Sequence, residues 1–190
     1  MELDALKGAE TILSTFTGIR CEAQLKKTFA CKNSGTLSDI DNWLEKKGFE
    51  MISIDNTLAG RQTSKWSANN TDGVLISCDA VWRSQRIMER ITNGSSEPVA
   101  TKKMMCWHFI NNMGGEAIRI FQLAIKSGIK MDWEGDKCDK SVKKLMLEHA
   151  LSIYNSNSVE LDEIMDIYNI MTNEKLPSAH LMRYEIDKLA

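Results

Sequence analysis

The sequence predicts an α+β fold, with a small antiparallel sheet and its helices in the N-terminal part and an all-helical C-terminal half. Three observations carry this reading. Apolar residues alternate with period two over residues 19–31. Nearly every segment after residue 83 repeats them at helical spacing. A dense turn signal, Asn69-Asn70-Thr71-Asp72-Gly73, separates two β-rich runs.

Leu3, Leu6, Ala9, Ile12, Leu13 and Phe16 form a helical stripe that Gly18 ends. Ile19, Cys21, Ala23, Leu25, Phe29 and Cys31 then take odd positions. Arg20, Glu22, Gln24, Lys26 and Lys32 take even ones, with Lys27 the exception. This alternation describes a half-buried strand with one wet face, as in an antiparallel sheet. Asn33-Ser34-Gly35 turns the chain. Ser38 or Thr36 then caps a short helix carrying Leu37, Ile40, Trp43 and Leu44, which Gly48 stops. Phe49 to Ile54 reads as a strand, and residues 61–67 and 74–82 read as a hairpin. The expected order is helix, strand, helix, and then three strands.

Further helices are expected at 97–112, 116–127, 140–154, 159–172 and 179–189, with Ser96 as an N-cap and Pro98 in the first turn. Gly114-Gly115, Gly128, residues 155–158 and Pro177-Ser178 separate them. The stretch 92–98 is the expected linker. It divides an α+β region at 1–93 from a helical region at 94–190, and the two can still pack as one compact unit.

Composition excludes several classes. A hydrophobic share of 43% with only 2 Pro is not that of a disordered chain. No apolar run approaches the roughly 20 residues that span a bilayer, so no membrane partner is expected. The start, Met1-Glu2-Leu3-Asp4, has neither the basic and apolar regions of a signal peptide nor the arginines of a transit peptide. Five cysteines (Cys21, Cys31, Cys78, Cys106, Cys138) are odd in number and form no CxxC pair, which reads as reduced, mostly buried thiols. The sequons Asn69-Asn70-Thr71 and Asn93-Gly94-Ser95 read as turns. The expected location is the cytoplasm, or the cytoplasm of an infected host.

Charge is the most informative feature. The net charge of −2 conceals −2 over residues 1–60, +5 over 61–130 and −5 over 131–190. In the basic third, Arg83, Arg86 and Arg90 are spaced i, i+3, i+7, so a helix would align them on one face. Trp82 adjoins this row, Lys65 and Trp66 lie on the expected hairpin, and Lys102 and Lys103 open the next helix. Arginine forks match phosphate oxygens and tryptophan faces stack on unpaired bases, so these eight residues are the candidate single-stranded RNA site. A second basic group, Lys137, Lys140, Lys143 and Lys144, opens the helix at about 140, with the last three on one face, and Asp132, Glu134, Asp136 and Asp139 immediately upstream neutralise it locally.

Other constellations fail in detail. Residues 132–143 alternate oxygen ligands like a calcium loop, but Lys137 stands at the sixth position and Lys143 at the twelfth, and Asp139 reads as an N-cap. Cys106, His108, Cys138 and His149 do not have zinc-ligand spacing. Gly114-Gly115-Glu116 is an interhelix turn, not a phosphate loop. No cofactor is expected. Residues 159–172 carry a broad apolar face of Val159, Leu161, Ile164, Met165, Ile167, Tyr168, Ile170 and Met171. Opposite lie Glu160, Asp162, Glu163 and Asp166, giving a surface for self-association or a protein partner.

The first functional expectation is a non-enzymatic RNA-binding protein, regulatory or packaging and of viral type, with the acidic helical third making protein contacts. The alternative is a protein-interaction or assembly module without nucleic acid. A hydrolase or metal-dependent enzyme with an unrecognised site comes third.

Overall fold

The computed structural model describes residues 2–25, 35–60, 74–133, 137–154 and 159–189. The chain divides into two compact units, Met1–Arg86 and Ile87–Ala190, with the division inside the helix Gln85–Thr92.

The first unit holds α1 (Glu2–Gly8), a 3-10 helix (Glu10–Thr15), β1 (Gly18–Gln24), α2 (Leu37–Glu45), β2 (Phe49–Gly60) and β3 (Val74–Ser84). The single helix expected over residues 3–16 is therefore broken. Gly8 ends α1, and the tighter turn that follows buries Leu13 while Ile12 stays exposed. β1 follows the alternation as expected, with Ile19 and Ala23 buried and Arg20 and Glu22 exposed. Its expected continuation over 26–31, and the strand at 61–67, lie outside the described residues.

Thr36, not Ser38, caps α2. Its hydroxyl accepts from the Asp39 backbone N–H while the Asp39 carboxylate accepts from the Thr36 backbone N–H, a reciprocal capping box. Gly48, with φ +81°, ends this segment and releases the chain into β2.

β3 is the central strand of the sheet, whose order is β1-β3-β2, all antiparallel. β2 departs from regular pairing at several points along its length and passes through Asn56 at φ +47°. One sheet face, formed by Ile19, Ala23, Cys78, Ala80 and Trp82, packs with Leu13, Ile40, Leu44 and Phe49 into the core of this unit.

The second unit holds most of α3 (Gln85–Thr92), then α4 (Pro98–Ile110), α5 (Gly114–Lys126), α6 (Lys137–Ile153), α7 (Val159–Thr172) and α8 (Ala179–Lys188). Glu97, one residue later than expected, is the N-cap of α4, with Pro98 at its first position. Ser96 is instead buried and accepts from the Thr101 hydroxyl at 3.1 Å. Gly94 adopts φ +70° against the Ser127 carbonyl, a place with no room for a side chain.

α4 packs against both α5 and α6, so it is buried on more than one side. Its Met104, Met105 and Phe109 join Phe121, Met146, Leu147, Ile164 and Tyr168 in one continuous core. His108 is enclosed there, its Nδ1–H donating to the Met104 carbonyl at 2.9 Å. α7 packs on α5 and α6, and α8 on α6. No described helix is long and apolar enough to cross a membrane.

Candidate functional site

The arginine row does not form as the spacing predicts. Arg83 lies in β3, because the helix begins only at Gln85. It sits directly opposite Glu50 of β2 and forms a half-buried ion pair with it. Arg86 and Arg90 are four residues apart on α3, and both are exposed. The Arg86 guanidinium donates to the Ser14 carbonyl.

Trp82 is wholly buried, 0% exposed, and donates its indole N–H to Asp41 at 2.9 Å. No face of it is open to a base. Lys65 and Trp66 lie outside the described residues. Lys102 points inward, paired with Asp139, donating to the Asp132 carbonyl, and 4.8 Å from the Trp133 ring centre. Asp139, expected as an N-cap, therefore lies inside α6 as the counter-ion of Lys102. Of the eight expected residues, the described structure leaves Arg86, Arg90 and Lys103 exposed.

The outer face of the sheet is similarly self-paired. Asp79 accepts from Asn56 at 2.8 Å and from Arg20 at 3.2 Å, and these two donors hold its carboxyl below the ordinary range. Among the described residues no group of three or more His, Cys, Asp and Glu is arranged to hold a metal ion.

A mainly apolar groove of about 340 Å³ lies between α5 and α7 of the helical unit. Phe121, Ile125, Ile167 and Ile170 line its floor and walls. Lys126 stands on the α5 lip, and Glu163 and Asp166 stand on the α7 lip. The spacing on α7 (163, 166, 167, 170) follows one helix face, and Ile170 is 60% exposed at its end. Ile125 on α5 is 46% exposed. Met165 is also exposed.

The apolar face expected on residues 159–172 is therefore divided between two uses. Ile164, Ile167 and Tyr168 belong to the core, while Met165 and Ile170 face water. The contribution of α5 was not anticipated. Its signal lies in the run Ile118, Ile120, Phe121, Leu123, Ala124 and Ile125, which holds more apolar residues than one buried stripe needs. No family model, no curated protein and no solved structure matches this chain.

Proposed function

We propose that this protein is a self-assembling interaction module whose helical unit pairs with a second copy through the α5–α7 groove. The single observation that carries the reading is the charge arrangement around the exposed isoleucines. One lip carries Lys126 and the other carries Glu163 and Asp166. A two-fold axis sets the same patch against itself, residue i against j and j against i. With that axis along the groove, the operation brings the Lys126 lip of each copy to the acidic lip of the other, and Ile125 and Ile170 leave water together. Burying such side chains contributes roughly 1.5–3 kcal/mol each when complete.

The proposed location is the cytoplasm, or the cytoplasm of an infected host. The odd cysteine count and the free thiols Cys21, Cys78, Cys106 and Cys138 support a reducing compartment.

Light scattering over a protein concentration series tests the reading. A mass rising from monomer to dimer is expected, with Ile170→Glu and Ile125→Glu each holding the chain as a monomer without loss of helicity. Lys126→Glu weakens pairing, and adding Asp166→Lys restores it. A monomer at every concentration overturns the proposal. So does tight single-stranded RNA binding, read by fluorescence anisotropy, that Arg90→Ala with Lys103→Ala removes while the mass stays monomeric. That result would establish the nucleic-acid reading instead.

A further inference from the structure

Cys106 and Cys138 share no motif in the sequence, yet the fold brings them together. Cys106 follows Lys102 by four residues on α4, one turn further along the same side. Cys138 immediately precedes Asp139 on α6. The buried Lys102–Asp139 pair thus joins the two helices at this level, and the Cys106 and Cys138 side chains line one and the same cleft between them.

Both residues are only partly buried, and both line an open cleft of about 420 Å³ on the outer side of the α4–α6 contact. Lys103 and Lys144 flank this cleft, with Glu148 also on its wall. An anionic peptide thiol or disulfide therefore meets two ammonium groups at the entrance. The remaining described cysteines are placed differently. Cys21 and Cys78 lie diagonally across β1 and β3, and Cys78 is enclosed in the core of its own unit.

We propose that Cys106 and Cys138 are a redox-active dithiol, which a small disulfide of the glutathione class converts to an intramolecular disulfide joining α4 to α6. The chemistry balances in two exchanges. The Cys138 thiol loses its proton to solvent, and its sulfur attacks one sulfur of the small disulfide. The S–S bond breaks, and one glutathione leaves as thiolate and takes up a proton. The Cys106 sulfur, after losing its own proton, then attacks the Cys138 sulfur of the mixed disulfide and expels the second glutathione. Two protein thiols are oxidised by two electrons, and one small disulfide is reduced to two thiols.

Desolvation, and secondarily the neighbouring Cys138, hold the Cys106 thiol up at about 12, which disfavours Cys106 as the opening nucleophile. Oxidation is accordingly slow near neutrality and accelerates as pH rises.

The test equilibrates the full chain in glutathione buffers of increasing oxidised fraction, blocks remaining thiols with an alkylating agent, and maps the peptides by mass spectrometry. The expected result is simultaneous loss of alkylation at Cys106 and Cys138, with a peptide pair linked by a disulfide and no glutathione retained. Cys106→Ser should trap Cys138 as a stable glutathione mixed disulfide. Cys138→Ser should leave Cys106 alkylatable under the same buffer. Circular dichroism of both serine variants should match that of the native chain. The proposal is overturned if both cysteines stay alkylatable in the most oxidising buffer, or if either links to a different cysteine. Independent glutathionylation of both, without an internal link, also overturns it. None of these readouts depends on the α5–α7 groove.

Discussion

Lys102 and Asp139, 3% and 6% exposed, form an ion pair inside the helical unit between α4 and α6. The ammonium also donates to the Asp132 carbonyl and lies over the Trp133 ring, so three partners replace its lost hydration.

Removing one member leaves the other buried without its counter-charge, which costs about 3–5 kcal/mol. Lys102→Met and Asp139→Leu should each lower stability by that amount in urea denaturation. The double variant should recover most of the loss, because an apolar pair of similar volume avoids the desolvation cost altogether. Equal and additive losses in the single and double variants would show that the two residues do not act as a pair.

The elements that local chemistry specifies were legible in the sequence. The alternation in β1, the Thr36 cap and the helix spacing each depend on residues within one or two turns of one another. The candidate site was not legible, because its fate depends on distant partners. Arg83 fitted an i, i+3, i+7 row, but Glu50, 33 positions earlier, draws it into a cross-strand pair. Trp82 is claimed by Asp41, 41 positions earlier. Lys102 reads as a surface cation until Asp139 meets it. Helical periodicity likewise marks Ile167 and Ile170 as one face, whereas packing buries the first and exposes the second.

Trp82 supplies the next prediction. Its indole is wholly enclosed, and its N–H has the Asp41 carboxylate as acceptor. Asp41→Ala removes the acceptor from a buried donor and should cost about 1–3 kcal/mol. Trp82→Phe in the same background should cost little beyond that, since no donor is then left unsatisfied. Chemical denaturation of the four proteins measures the coupling. If Asp41→Ala is neutral with Trp82 present, the hydrogen bond contributes nothing to stability.

Asp79 provides a pH dependence whose sign follows from its partners. The Asn56 amide and then the Arg20 guanidinium favour the charged carboxylate, so the folded-state pKa lies below the ordinary 3.8. A depressed carboxyl contributes stability that is present above the unfolded value and is lost as pH falls through the folded one. Asn56→Gly removes the amide while suiting the φ of +47° at this position. Carboxyl carbon NMR should then find the Asp79 titration moved upward toward its ordinary value. An unmoved titration would mean that the amide does not set it.

Gly114 opens α5, where the sequence suggested only an interhelix turn. The His149 imidazole from α6 lies against its Cα, so that a Cβ at this position would stand 2.1 Å from Nε2. The ring also packs against Phe109, with centroids 5.9 Å apart, which restricts where it can retreat. Gly114→Ala should therefore cost about 1–3 kcal/mol, the usual range for forcing extra volume into a packed site. His149→Ala removes the obstacle, and in that background the same substitution should become neutral or stabilising by up to about 1 kcal/mol, because alanine is the better helix former. Urea denaturation of the four proteins isolates the pairwise term. A Gly114→Ala penalty that survives without the imidazole would place its cause in the backbone of α5 and not in this contact.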